Sequence, residues 1–483
     1  MLVIAAAMFS LEMAVSNRYG FHRDELYFLA CAHHLAWGYV DQPPFVPFVA
    51  RVATALFGTS PTSLRVLPAL AGGATVVFTG LIARELCGRR TAQVLAAVAA
   101  ASSTEVLATV HLLSTAAFDL FFWSAVTLMI VRMLRVDDPR WWLAIGAVGG
   151  VGLLNKYNIA FLFVGLTVGL VASGRLHILL NRWALAGGCL ALVMLVPNLI
   201  WNAQHHWAAI SMLHSLQQEN GGLGASLKFI PAQIVIVGPI LAVMWIGGLI
   251  RLLRHPIGRP LGITYLTLIV LDTILGAKPY YLGGLCFALL AGGGLWIEEW
   301  MSSRGRTGLL GFTAALIIVG EALVLPLTLP ILPVSSLAKG PWEGNLNKDL
   351  SATVGWGQLV HQVAAITRSL PPAERSHAVV FTGDYGAAGA VDLYGPRYGL
   401  TDVVSGHNNY WLWGHADART GTATIAVNLS RTYLQTIFGT VISAGAVRTP
   451  SGVWTEERGD PIWICTHQKV SWGQAWPSAR HYG

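Results

Sequence analysis

Residues 19–51 read YGFHRDELYFLACAHHLAWGYVDQPPFVPFVAR, and the stretch continues through apolar chain to Leu64-Arg65. It lies between two apolar segments, 1–16 and 66–86, that read as membrane spans. Yet it carries Asp24, Glu25 and Asp41, three of the few acidic residues in the first third of the chain. A carboxylate at a membrane border is costly unless it faces a water-filled cavity or a ligand. Tyr19, Phe21, Tyr27, Phe28, Trp37 and Tyr39 supply the aromatics favoured where water meets acyl chain. The stretch reads as a polar reaction floor lying on the bilayer surface.

The rest of the chain supports a membrane setting. Of 483 residues, 54% are hydrophobic and only 11% charged, against about 25% charged in soluble domains. Further apolar segments fall at 91–110, 115–134, 141–155, 157–173, 183–202, 229–250, 260–276, 280–299 and 308–330, making eleven candidate spans. The first is short, with no basic start of the kind a cleavable leader has. Every second connecting loop is arginine-rich: Arg84/Arg89/Arg90, Arg132/Arg135/Arg140, Arg175/Arg182, Arg251/Arg254/Arg259 and Arg304/Arg306. The positive-inside rule places that set in the cytoplasm, so the other loops and the carboxy-terminal segment face outward. Only the 17–65 loop, with Arg18, Arg23, Arg51 and Arg65, breaks the pattern. The net charge of +7 therefore reports topology and gives no ground for nucleic-acid binding. Cys31, Cys87, Cys189, Cys286 and Cys465 are scattered without CxxC spacing, so they form neither a metal knuckle nor a disulfide framework.

From residue 335 the composition is that of a soluble protein. Residues 378–382, 424–428 and 462–465 read as strands, and 356–370 and 430–445 as helices. The expected organisation is an α-helical polytopic membrane region over 1–334 and a small α/β domain over 335–483. The aromatic and amide run 405–414 suits either a sugar-stacking surface or a small core.

The polar residues stranded at span edges all collect on the outer side. They are Asp24, Glu25 and Asp41; Glu105 and His111; Asp119; Asn155-Lys156-Tyr157; His205, His206, His214 and Glu219; Asp272; and Lys278-Pro279-Tyr280-Tyr281. A random scatter would have used both sides, so the convergence marks one site. Lysine is rare here, and Lys156 and Lys278 occupy tight outer turns against the positive-inside trend. A compact ammonium in such a place suits a phosphate, although lysines at span ends also snorkel to the interface.

The segments His22-Arg23-Asp24-Glu25-Leu26-Tyr27 and Gly38-Tyr39-Val40-Asp41-Gln42-Pro43-Pro44 resemble the first outer loop of the GT-C membrane glycosyltransferases, in the protein O-mannosyltransferase and aminoarabinose transferase branch. The likeness extends to Asp119 entering the fourth span, the Asn-Lys turn at Leu153 to Lys156, and the Lys-x-Tyr-Tyr turn at Lys278 to Tyr281, covering residues 1 to about 300. The resemblance implies a polyprenyl-phosphate sugar donor, a protein, lipid or glycan acceptor, and inverting transfer outside the cytoplasmic membrane. Asp24, with Glu25 beside it, matches the catalytic acid pair and Asp119 the carboxylate facing it. Asp41 matches an acidic residue that, in the aminoarabinose branch, helps bind a metal together with a histidine from a later outer loop. His214 is the best-placed histidine here, with His205 and His206 behind it, so a divalent metal would rest on Asp41 and His214. This chain departs from that branch in having Asp41-Gln42 where Glu-Lys precedes Pro-Pro.

Such a transfer needs a base for the acceptor hydroxyl and cations for the departing phosphate. Asp24 is the expected base with Asp119 as partner. Lys156 and Lys278 are the expected cations, with Tyr280, Tyr281 and Arg65 nearby. Duller readings stand beside these: Asp24 and Glu25 can simply cap the loop helix, and Asp119 can be an interhelical hydrogen-bonding residue. A lipid-linked-sugar flippase or transporter is the alternative function. Transporters, however, usually show internal repeats and charges at the midplane, and neither is evident here.

Overall fold

The computed structural model describes residues 1–220, 223–338, 348–415 and 423–482. All eleven apolar segments are helical. They form helices Leu2–Val15, Pro61–Glu85, Arg90–Ser102 with Thr104–Val110, Thr115–Val136, Trp141–Asn155, Ile159–Ala172, Arg182–Gln204, Leu223–Val237 with Leu241–Arg254, Arg259–Leu275, Gly283–Ser303 and Leu310–Ala322. Four unbroken helices are long and apolar enough to cross a bilayer: Pro61–Glu85, Thr115–Val136, Arg182–Gln204 and Pro279–Ser303. Two bent pairs raise the number to six. The other segments are shorter than the roughly 20 residues a straight span needs, so length and apolarity do not reach eleven among the described residues. The chain is a mostly helical, multi-pass membrane protein.

The two bends lie side by side and repair each other. One pair turns by 52° at Ser103 and the other by 110° around Gly238, whose φ of +115° suits glycine alone. A broken helix leaves backbone groups without partners in a medium that has no water to offer. Here Ser103 Oγ donates to the Val237 carbonyl at 3.0 Å. The Glu321 carboxylate accepts from Thr104 Oγ1 at 3.3 Å and lies directly against Gly238, where a Cβ would meet it. Close helix contact elsewhere uses small residues. Gly248 lies against the Leu289 carbonyl and Gly293 against the Met244 carbonyl, so Leu241–Arg254 and Gly283–Ser303 pack backbone to backbone.

The outer stretch forms two helices, Arg23–His33 and Phe45–Phe57. The first is opened by a capping box: His22 Nδ1 accepts from the Asp24 amide at 3.1 Å, and Glu25 Oε2 accepts from the His22 amide at 2.8 Å. Leu35, Trp37, Phe48, Leu56 and Phe57 are exposed along this stretch, as suits a surface that meets lipid.

The carboxy-terminal segment holds a five-stranded mixed sheet. Its strands are β1 (Val379–Thr382), β2 (Val403–Ser405), β3 (Thr424–Val427), β4 (Phe438–Ala446) and β5 (Pro461–Gln468), in the order β2-β1-β3-β5-β4. β1 pairs parallel with β2 and β3, while β5 runs antiparallel to β3 and β4. The helix expected over 430–445 stops at Ile437, and Phe438 onward is strand β4. Thr440, Val441 and Ile442 are β-branched and fit a pleated edge, with Val441 opposite Cys465 and Ile442 opposite Ile464.

Helix Tyr385–Tyr394, which follows β1, lies directly on helix Arg23–His33. A side chain at Gly386 would collide with Arg23 Cγ, and a Cβ at Gly389 would stand 2.9 Å from the Leu26 backbone. The sheet-bearing segment therefore rests on the outer stretch.

Candidate active site

Asp24 and Glu25 are neighbours on one helix, but about 100° per residue separates their directions. Glu25 turns inward and is fully buried. Its Oε1 accepts from Arg65 Nε at 3.0 Å and from the Leu113 amide at 3.1 Å, and its Oε2 accepts from Arg65 Nη2 at 2.8 Å and from the His22 amide. Arg65, also buried, donates further to the Ser16 and Gly20 carbonyls at 2.6 and 2.9 Å. Neither member of this pair has surface to offer a substrate. The expectation that Glu25 acts as an acid and Arg65 meets a phosphate is corrected accordingly: four hydrogen bonds satisfy the carboxylate, and four occupy the guanidinium.

Asp24 turns outward, with its side chain 36% exposed. Its Oδ1 accepts from the Tyr385 hydroxyl at 2.8 Å and lies 3.8 Å from Arg23 Nε, while Oδ2 lies 3.9 Å from His22 Nδ1. Burial pushes its pKa up. His22 and the Arg23 charge beside it, the Tyr385 hydrogen bond and Lys278 outweigh that and hold the carboxyl below its ordinary value. Asp41 sits across the same floor, where its Oδ1 accepts from Tyr27 Oη at 2.8 Å. Burial, with the nearby Asp24 charge adding to it against the Tyr27 bond, raises Asp41 to about 7. Asn409, from the carboxy-terminal segment, accepts from the Val40 amide at 2.7 Å and so ties the Asp41 loop to the sheet. Beside Asp41, the Gln42 side chain is buried with no hydrogen-bond partner on its amide oxygen or nitrogen.

The second half of the site comes from two turns between helices. Lys156 follows helix Trp141–Asn155, and its Nζ lies 4.7 Å from the Tyr280 ring and 4.5 Å from the Tyr281 ring. Stacked on two aromatic faces, the ammonium is positioned without a carboxylate neutralising it directly. Asn158 Nδ2 bridges Asp119 Oδ2 at 2.9 Å and the Tyr281 carbonyl at 3.1 Å. Asp119 is buried, its Oδ1 has no hydrogen-bond partner, and Lys156 acts on its charge. The Lys278–Tyr281 turn is held from a third element, since Gln233 Nε2 donates to the Pro279 carbonyl at 2.7 Å. Lys278 acts electrostatically on Asp24, and Tyr280 lies in the fields of both Asp24 and Asp119.

Asp24, Asp119, Lys156, Lys278, Tyr280 and Tyr281 thus come together, as do Asp41 and the Asp24 floor. The side chain of His214 lies outside the described residues. His205 is taken up by Trp201, on which it stacks, and His111 by Glu12 at 3.0 Å. Among the described residues no three His, Cys, Asp or Glu side chains group as metal ligands. Sequence reading missed Asn158, although a second asparagine three residues after Asn155 at a span edge was a usable signal. It also missed Tyr385 and Asn409, for which nothing local pointed to the membrane floor.

The helical bundle, the acidic outer stretch and the carboxy-terminal sheet together have the GT-C glycosyltransferase fold. The crystal structure of ArnT from Cupriavidus metallidurans in the apo state superposes with a TM-score of 0.64, covering 96% of each chain at 15% identity. The same protein bound to undecaprenyl phosphate gives 0.60, covering 96% of this chain and 97% of that one. A family model described as dolichyl-phosphate-mannose-protein mannosyltransferase matches residues 41–201. The lipid A galacturonosyltransferase RgtD of Rhizobium johnstonii is 24% identical over 267 residues, 53% of this chain and 54% of that protein. The lipopolysaccharide core galacturonosyltransferase RgtB of the same organism is 25% identical over 202 residues, 41% of each. The chain spans about half the length of the curated relatives it matches, or less. The resemblance read from the first outer loop is borne out.

Proposed function

We propose that this protein transfers a sugar from a polyprenyl-phosphate carrier to an acceptor hydroxyl, with inversion, at the outer face of a bacterial cytoplasmic membrane. The observation that carries the reading is a half-buried carboxylate, Asp24, on which Lys278 acts and whose field reaches Tyr280, one of the two rings that hold Lys156. The acceptor oxygen attacks the anomeric carbon while Asp24 takes its proton. The bond from that carbon to the phosphate oxygen breaks, and polyprenyl phosphate leaves with the electron pair. Lys278 and Lys156 offset the charge that gathers on the phosphate, usually the larger catalytic term. Asp119 and Asn158 hold the Lys156 turn against the Tyr280-Tyr281 turn. Glu25 and Arg65 lock the base of the floor.

In this reading residues 1–334 form the membrane catalytic region, crossing the bilayer up to eleven times. Residues 335–483 form an outward-facing α/β domain. The names of the curated relatives put lipid and glycan acceptors, and a uronic acid among the sugars, first in line for testing. Purified protein in nanodiscs, offered a panel of polyprenyl-phosphate sugars with membrane-extract acceptors, should release free polyprenyl phosphate from one donor, followed by mass spectrometry. Asp24→Asn should lower that release by about 10²–10⁴-fold, the usual contribution of a general base. If native protein consumes no donor yet moves lipid-linked sugar across the bilayer, the transporter reading replaces this one.

A further inference from the structure

The carboxy-terminal segment reaches the proposed base directly. We propose that Tyr385 is a positioning residue for Asp24: its hydroxyl holds Oδ1 and so turns Oδ2 toward the acceptor. The inference rests on the reading of Asp24 as base.

The contact is strongly determined by its surroundings. Tyr385 is the first residue of its helix, directly after the Asp384 cap, which accepts from the Ala387 amide at 2.7 Å. Its ring is enclosed by the Tyr27 ring at 4.8 Å, the His407 ring at 4.7 Å and the Arg23 guanidinium at 5.4 Å. Gly386 and Gly389 let this helix sit against Arg23–His33 more closely than any side chain would allow. The tyrosine also stands just past the carboxyl end of β1, from which the chain goes first to β2 on one side and then to β3 on the other. In open α/β sheets that reversal is where a crevice forms and ligands bind. Here the crevice is closed by the membrane floor, and the phenol is what the sheet presents to it.

A carboxylate that is partly exposed can rotate, and rotation exchanges its two oxygens. One charge-assisted hydrogen bond at 2.8 Å fixes the choice. It also favours the ionised form. The other groups facing Asp24 are His22 and Arg23 on its own helix, Lys278 and Tyr280 from the turn after Arg259–Leu275, and Asp41 from the loop below. Arg23 and Lys278 act in the same direction as the phenol and Asp41 opposes them. Removing the phenol therefore moves the Asp24 titration upward without abolishing the charge.

The test uses full-length protein in nanodiscs with a polyprenyl-phosphate sugar that native protein turns over. The kcat–pH profile is recorded for native protein, Tyr385→Phe and protein carrying 3-fluorotyrosine at position 385. Loss of the hydroxyl should lower kcat at neutral pH about tenfold. It should also raise the acidic limb by about one pH unit and leave the donor KM unchanged. The fluorinated phenol, a stronger donor, should move the limb downward. Coincident limbs in native and fluorinated protein, with Asp24→Asn inactive, overturn the role of Tyr385 and leave the base intact. Asp24→Asn with native turnover overturns both. If Tyr385→Phe does not fold, the fluorinated protein, which keeps every contact, decides alone.

Discussion

Arg65 and Glu25 offer the sharpest test of what is structural and what is chemical in this site. Both side chains are essentially buried, at 2% and 0% exposure, and are joined by two hydrogen bonds at 2.8 and 3.0 Å. Arg65→Met keeps the apolar stem but leaves a buried carboxylate unpaired and removes donors from the Ser16 and Gly20 carbonyls. Breaking a buried pair by removing one partner costs about 3–5 kcal/mol, whereas replacing both partners by apolar groups is often near neutral. Glu25→Leu strands the guanidinium and also frees the His22 and Leu113 amides, so it should be at least as costly as Arg65→Met. The double variant Glu25→Leu/Arg65→Met should regain part of that loss, with a coupling of about 2–3 kcal/mol, at the upper end for contacting residues. Equilibrium unfolding in mixed micelles measures the four proteins, and donor turnover is then taken per folded molecule. Folded single variants should keep native donor KM. An Arg65→Met protein of native stability whose donor KM rises steeply would refute the reasoning and return Arg65 to the phosphate.

Two further outcomes follow from the other half of the site. Lys156→Met should lower kcat by about 10²–10³-fold by removing a preorganised cation. Tyr281→Phe, which keeps the ring beneath the ammonium, should cost little; equal losses in both would mean that the phenol, not the cation, meets the donor. Asp41, raised to about 7, is neutral below that pH and ionised above it, beside Asp24 and an anionic donor. Donor KM should therefore climb as pH passes upward through that value in native protein and stay flat in Asp41→Asn. A KM that falls over the same range would show that the ionised carboxylate is what the donor needs.

The membrane region was readable because hydrophobicity and the cost of a stranded charge are local properties. The Asp24-to-Asp41 floor, the Lys156 turn and the Lys278-to-Tyr281 turn each showed themselves as polar residues where apolar ones were due. The arginine pattern of the loops gave the expectation that they share one side. Helix ends were less legible. The polar run Ser102-Ser103-Thr104-Glu105 and the Gly238-Pro239 pair mark where the chain bends by 52° and 110°, but a hydropathy average over a whole span hides breaks this short. The helix expected through 445 failed for a different reason. Thr440, Val441 and Ile442 became strand because β5 was there to pair with them.

By itself the sequence determined a multi-pass helical protein with a polar floor and two lysine turns at its edge, since burial energy is summed residue by residue along the chain. Only the tertiary structure decided which of the adjacent carboxylates faces out. Glu25 met Arg65, 40 residues away, and was buried, while Asp24 met Tyr385, 361 residues away, and stayed accessible. Both acids lie on the same helix turn, so the helical rotation between them and the partners that packing brings to each face separate a buried acid from an accessible one.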